Sequence, residues 1–118
     1  MNNLHEMAIA EGIVDVALDA AKSNGGGKVL EVGLKIGDMV GVETEALNTA
    51  FHILTRETLL SDAILKIERL PLKVRCDACN EEREQDIYNF FCKKCGGVLK
   101  LVSGRELQVA YINMEDKL

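Results

Sequence analysis

Hydrophobic residues near the N-terminus recur with the period of an α-helix. Ile9, Ile13, Val16 and Ala20 lie three or four residues apart, while charged side chains occupy other positions. This spacing places the four apolar side chains on one face and predicts an amphipathic helix over residues 4–23.

The next two predicted elements are a strand and a second helix. Residues 28–36 alternate between apolar and polar positions, which predicts a strand half-buried against a core. One face of this strand carries Leu30, Val32, Leu34 and Ile36. The second helix is predicted to begin at Glu43-Thr44-Glu45, since acidic side chains favour the positive end of the helix dipole. Its apolar stripe consists of Leu47, Ala50, Phe51 and Leu54.

Two further strands complete the pattern. Alternation resumes over residues 63–67, and Pro71 then indicates a bulge or a strand exit, because proline cannot donate to a ladder. Leu107, Val109 and Tyr111 occupy alternate positions near the C-terminal end. The pattern therefore predicts an α+β protein with a small mixed three-stranded sheet and two helices.

All four cysteines fall between the second and third predicted strands. They form two Cys-x-x-Cys pairs, Cys76 with Cys79 and Cys92 with Cys95, separated by twelve residues. This is the spacing of a tetrathiolate zinc site, in which each pair contributes two sulfurs to a tetrahedron. Such a site commonly stabilises a module too small for a core of its own. The predicted boundaries are residues 74–103 for an inserted zinc-ribbon-like module, and residues 1–73 and 104–118 for the α/β domain.

The cysteines have three other interpretations. A rubredoxin-like iron site shares the geometry. A redox dithiol would place Cys-x-x-Cys before a helix, which neither pair does, and four ordinary buried cysteines do not account for the regular spacing. Tyr88, Phe90 and Phe91 lie between the two pairs, and we expect them to form a small core beside the metal.

The charge of the chain argues against a nucleic-acid-binding surface. The 118 residues carry a net charge of −5 with no basic run, whereas nucleic-acid binding needs clustered Lys and Arg. No charged N-terminal segment precedes an apolar run, and no apolar stretch approaches the roughly 20 residues that span a bilayer. Paired cysteines without a signal peptide predict a cytoplasmic protein that does not act at a membrane.

Two histidines are available as metal ligands or bases. His5 precedes Glu6 at the start of the first helix, where an imidazole, a carboxylate and uncapped amides can bind a late transition metal such as Ni²⁺. The alternative is a capping box from Asn3 to Glu6, with His5 solvated. His52 is expected to be an exposed bystander. We find no Ser-His-Asp, paired-carboxylate or phosphate-cradling pattern, so we expect no enzymatic activity.

Four segments together resemble the HypA family of nickel metallochaperones over nearly the whole chain. They are His5-Glu6-Met7, Leu34-Lys35-Ile36-Gly37, Val42-Glu43, and Leu72-Lys73-Val74-Arg75-Cys76 before the cysteine pairs. The resemblance implies cargo nickel at His5 and Glu6 and structural zinc at the four cysteines. It implies nickel delivery to the large-subunit precursor of [NiFe]-hydrogenase with a HypB-type GTPase, and in some organisms to urease with its maturation factors. The oligomeric state is left open between monomer and homodimer, and the alternative function is a zinc-ribbon interaction module that transfers no nickel.

The sequence departs from the family pattern at its start. In the family the histidine directly follows the initiator methionine, whereas here Asn2, Asn3 and Leu4 intervene. Two hypotheses follow: the natural start is at Leu4, or the extended terminus binds nickel with altered geometry. The module between the cysteine pairs also contains no histidine, so a family member that uses one there for metal has no counterpart in this chain.

Overall fold

Six strands and two helices make up the regular structure of the described chain. The computed structural model describes residues 4–85 and 89–116. In chain order the elements are α1 (Leu4–Ser23), β1 (Val29–Gly37), α2 (Thr44–Leu54), β2 (Ile64–Leu70), β3 (Lys73–Cys76), β4 (Glu81–Glu84), β5 (Lys100–Ser103) and β6 (Leu107–Met114). A short 3-10 helix over Asp38–Val40 follows β1.

The predicted α+β fold with two helices and a small mixed three-stranded sheet is confirmed. The sheet has the strand order β2-β1-β6. Glu43 caps α2 as its acidic character predicts, because its carboxylate accepts from the backbone N–H groups of Glu45 and Ala46 at 3.2 and 2.7 Å. The strand exit predicted at Pro71 is also confirmed, since β2 ends at Leu70.

The predicted apolar stripe of α1 is wrong in part. Its buried apolar side chains are Ala10, Ile13, Val14, Ala17 and Ala21, whereas Val16 is 53% exposed. Successive helix positions differ by about 100° around the axis, so the buried face is rotated from the predicted one. The buried face is formed largely by alanine, whose short side chain permits close packing.

An aromatic ring covers a glycine on the central strand. A Cβ atom at Gly33 would lie 2.0 Å from the Tyr111 ring, so only glycine leaves room for the ring there. The Tyr111 hydroxyl donates to the Glu31 carboxylate at 2.5 Å. Tyr111 and Leu107 nevertheless stay 42% and 43% exposed, so this face of β6 alternates as predicted without being buried.

The chain forms two compact units. Unit 1 comprises residues 1–35, 42–68 and 108–118, and unit 2 comprises residues 36–41 and 69–107. In unit 1, α1 packs against α2. In unit 2, β3 pairs antiparallel with β4 on one side and with β5 on the other. The sequence pattern missed these three strands because each has only four residues and most of their side chains are charged or exposed.

Unit 2 has a small apolar core. The buried cluster consists of Leu72, Val74, Cys76, Cys92 and Leu99, with Met39, Cys79 and Leu101 partly buried against it. The aromatic core expected beside the metal is wrong for Phe91, which is 61% exposed, and Phe90 is only half-buried. Tyr88 lies outside the described residues. The core of unit 2 is therefore built from aliphatic side chains and cysteines.

Two glycines in unit 2 bring backbone segments into contact. A Cβ at Gly37 would lie 2.0 Å from the carbonyl carbon of Gly104, and backbone cannot move aside as a flexible side chain can. We therefore expect Gly37→Ala to lower the free energy of unfolding by about 1–3 kcal/mol, as for other overpacked sites. Urea titration followed by circular dichroism measures this change.

Gly12→Ala is the matched control for that experiment. Gly12 lies inside α1, and an added Cβ meets nothing within 4 Å. The same substitution should raise the free energy of unfolding there by about 0.5–1 kcal/mol, because alanine loses less backbone entropy in a helix. Equal effects at both positions would contradict the steric explanation.

Candidate metal centre

The four cysteine sulfurs converge in unit 2. All four Sγ atoms lie within 4.8 Å of one another. The Sγ atoms of Cys76 and Cys95 are 3.5 Å apart, and those of Cys79 and Cys92 are 3.9 Å apart. A tetrahedral Zn²⁺ with Zn–S bonds of about 2.3 Å requires sulfurs about 3.8 Å apart. The donor set and its spacing are therefore close to those of a tetrahedral zinc site.

Backbone N–H groups turn toward the sulfurs in both Cys-x-x-Cys pairs. The Cys79 N–H donates to the sulfur of Cys76, and the Gly97 N–H donates to the sulfur of Cys95, each at 3.4 Å. Gly96 has a φ of +74°, which L side chains rarely adopt. The glycine pair thus makes the tight turn that brings amides to a sulfur.

The pKa values of two of the thiols are shifted in opposite directions. Hydrogen bonding from the backbone N–H of Cys95 lowers the pKa of Cys92 to about 6, although burial acts in the opposite direction. Side-chain hydrogen bonds with Cys95 and Cys76 raise the pKa of Cys79 to about 12. Metal binding by this cluster must therefore release protons, and its affinity falls as the pH is lowered.

Arg83 also contacts the cysteine cluster. Its Nη2 donates to the Cys92 sulfur at 3.1 Å. The residue pattern does not predict this contact, because Arg83 lies in the charged run Glu81–Glu84 and nothing in that run marks an inward position. The inward position of Arg83 follows from the strand register, which places Arg83 opposite the buried Val74.

A second polar site lies at the start of α1 in unit 1. The Glu6 side chain is 1% exposed, and its Oε2 accepts from the backbone N–H of Glu43 at 3.1 Å. Its Oε1 has no hydrogen-bond partner among the described residues. A buried carboxylate oxygen without a donor is costly, so this atom is available to a cation.

His5 lies beside the Glu6 carboxylate, whereas His52 lies on α2 against Phe51. The Nδ1 of His5 is 3.5 Å from Glu6 Oε2, and the His5 side chain is 54% exposed. His52 is exposed on α2, as predicted, with its ring edge-on to Phe51. The capping box and the extended terminus concern residues 1–3, which lie outside the described residues.

The fold and the cysteine cluster define a class of protein: a small α+β protein that carries a tetrathiolate metal-binding module. Comparisons with known proteins narrow this class. The family model described as "Hydrogenase/urease nickel incorporation, metallochaperone, hypA" matches residues 4–114.

Individual relatives match over nearly their full length. The hydrogenase maturation factor HypA of Geobacter metallireducens is 40% identical over 113 residues, which cover 95% of this chain and 100% of the relative. The same factor of Chlorobaculum tepidum is 38% identical with the same coverage. The solution structure of the nickel metallochaperone HypA from Helicobacter pylori superposes with a TM-score of 0.68 at 22% identity, covering 95% of this chain and 98% of that one.

This chain belongs to the HypA family of hydrogenase and urease nickel-incorporation metallochaperones. The resemblance drawn from the four sequence segments is thereby confirmed. Within the described residues, no helix has the length and apolar character needed to cross a bilayer.

The environment of Glu6 predicts a pH dependence of stability. The Glu43 N–H holds the pKa of Glu6 below its ordinary value of 4.5, and burial opposes this shift. A carboxyl with a lowered folded pKa stabilises the protein above its unfolded pKa, and this contribution disappears as the pH falls through the folded pKa. We expect Glu6→Gln to be less stable than the native chain at pH 7, with the difference shrinking below pH 4.5.

Urea titrations of both proteins at pH 7 and at pH 3.5 measure this difference. Comparison with the native chain cancels the contributions of the other carboxyl groups. A difference that is the same at the two pH values would show that the ionised carboxylate is not the stabilising species.

Proposed function

We propose that this chain carries exchangeable Ni²⁺ bound by His5 and Glu6 and delivers it during maturation of [NiFe]-hydrogenase. The observation that carries the proposal is the unpartnered Oε1 of the buried Glu6 beside the exposed imidazole of His5. Membership of a nickel-incorporation family supplies the identity of the metal.

The two proposed ligands have complementary roles. The Glu43 N–H engages Oε2 of Glu6, which orients the carboxylate and leaves Oε1 for the ion. The His5 imidazole is half-exposed, and in its neutral form it is a suitable ligand for Ni²⁺. A metal held by one buried and one exposed group can exchange with solvent or a partner, which a delivery protein requires.

The proposal assigns zinc to Cys76, Cys79, Cys92 and Cys95. Zinc bound by four thiolates keeps no open coordination position, so its contribution is structural. It would hold together the small core of unit 2, in which Cys76 and Cys92 are buried. We retain residues 74–103 as the zinc module and residues 1–73 and 104–118 as the nickel-binding domain.

The proposal also covers the cellular compartment and the protein partners. We propose that the protein works in the cytoplasm as a metal carrier without catalytic activity. A HypB-type GTPase and the large-subunit precursor of [NiFe]-hydrogenase are its proposed partners, with urease maturation factors as further recipients. The family description, which names both hydrogenase and urease nickel incorporation, supports this setting.

Replacement of His5 tests the nickel site. We expect His5→Ala to lose Ni²⁺ binding while zinc content and fold persist, because the imidazole is exposed and lies outside unit 2. Isothermal titration of the untagged, zinc-loaded protein with NiCl₂ measures the stoichiometry, and elemental analysis measures zinc.

The second histidine supplies the matched control. His52→Ala removes the same side chain from an exposed position on α2 and should bind Ni²⁺ like the native chain. Unchanged nickel stoichiometry in His5→Ala would refute the assigned site. Failure of the native chain to bind nickel would instead favour the zinc-ribbon interaction module.

Replacement of Cys76 tests the zinc site. We expect Cys76→Ser to bind zinc far more weakly and to unfold unit 2, because the binding energy of a structural Zn²⁺, about 10–16 kcal/mol, is also folding energy. Elemental analysis after dialysis against a chelator measures the zinc, and backbone NMR spectra follow the fold of each unit. Stoichiometric zinc in this variant, with an unchanged spectrum, would contradict the assignment.

A further inference from the structure

Arg83 is a charged residue on the inner face of a strand. In an antiparallel pair, directly opposed residues point to the same side of the sheet. Arg83 is opposite Val74, whose side chain is 0% exposed. Val74 and Cys76 are two positions apart and share that face. The register therefore directs the guanidinium toward the small core that contains the sulfurs.

Three other cations of unit 2 near the cysteines are paired with carboxylates. Lys94 contacts Glu81 at 2.9 Å, and Lys100 contacts Asp77 at 2.7 Å. Arg75 also contacts Asp77, at 3.1 Å. Arg83 differs from these side chains, because its Nη2 donates a hydrogen bond to a sulfur, the Sγ of Cys92, at 3.1 Å.

The contact between Arg83 and Cys92 is partly shielded from solvent. Arg83 is half-buried, and its Nε is buried without a hydrogen-bond partner among the described residues. A buried guanidinium is costly unless an anion faces it. The sulfur of Cys92, 3.1 Å from Nη2, would be such an anion as a metal-bound thiolate.

We propose that Arg83 is a positioning residue of the tetrathiolate centre, where its charge-assisted hydrogen bond stabilises the Cys92 thiolate and makes it a poorer nucleophile. The inference rests on the proposed zinc site. Four thiolates and one Zn²⁺ carry two net negative charges in a small core, and the guanidinium offsets one of them. Hydrogen bonds to metal-binding thiolates are known to tune both affinity and reactivity.

The first measurement is zinc affinity. Arg83→Met keeps the length of the side chain but removes its charge and donors, and it should weaken zinc binding by about 10- to 100-fold, the usual effect of losing such a partner. Competition with a chromophoric chelator gives the dissociation constants. Arg105→Met is the matched control, since Arg105 is exposed in the same unit and lies outside the strands and the Cys-x-x-Cys pairs, and it should bind zinc like the native chain.

The second measurement reports on the sulfur itself. In the Co²⁺-substituted protein, the sulfur-to-cobalt charge-transfer band should move to lower energy in Arg83→Met, because the thiolate loses a stabilising donor. In the zinc-loaded protein, alkylation of Cys92 should become faster, as mapped by mass spectrometry. The exposed Cys95 serves as the internal reference. Arg83→Lys, which keeps the charge, should restore the band and the alkylation rate in part.

The outcomes separate this inference from the zinc assignment. A native chain that binds no zinc would contradict the proposed function itself. A native chain that binds zinc, with equal affinity and band position in Arg83→Met and Arg105→Met, would overturn the role of Arg83 alone. If Arg83→Met does not fold with zinc, Arg83→Gln receives the same measurements, and native values for that uncharged variant would likewise overturn the proposal.

Discussion

Repulsion among four ionised sulfurs is the constraint on which unit 2 depends. The Sγ atoms lie within 4.8 Å of one another, and two like charges 4 Å apart repel by about 4 kcal/mol at an effective dielectric constant of 20. Four thiolates can share this space only with a cation among them. The buried apolar cluster beside the sulfurs includes two of the cysteines, so the core and the metal site stabilise each other.

Unit 1 also contains a buried acidic group, but a single one among its described residues. Glu6 is a buried carboxylate with one oxygen held by the Glu43 N–H and the other without a donor. That hydrogen bond joins the beginnings of two helices, whose positive ends favour an anion. Glu6 therefore contributes to the packing of α1 and α2, and it also offers a ligand atom. The exposure of His5 on one side distinguishes this site from the closed cluster of cysteines.

Prediction from the sequence succeeded where one signal was strong over many residues. The span of α1 and the start of α2 at the acidic segment around Glu43 were both visible in the order of residues. The predicted alternation of β1 is wrong at its beginning, since Leu30 is 44% exposed and its neighbour Val29 is buried. Prediction failed where neighbours distant in sequence decided the outcome. Val16 and Phe91 are exposed, whereas alanines of α1 and two cysteines of unit 2 are buried. Strands as short as Glu81–Glu84 are formed by pairing with β3 rather than by their own composition.

The sequence alone determined the kind of metal chemistry. Two Cys-x-x-Cys pairs at this spacing specify four sulfur ligands, and the segments around His5, Gly37 and Glu43 specify the family. Only the tertiary structure showed that Arg83 faces Cys92 and that Glu6 is buried against the Glu43 N–H. The physical reason is that ligand identity and local spacing are properties of the chain order. The charges and donors that surround a ligand come instead from strand register and helix packing.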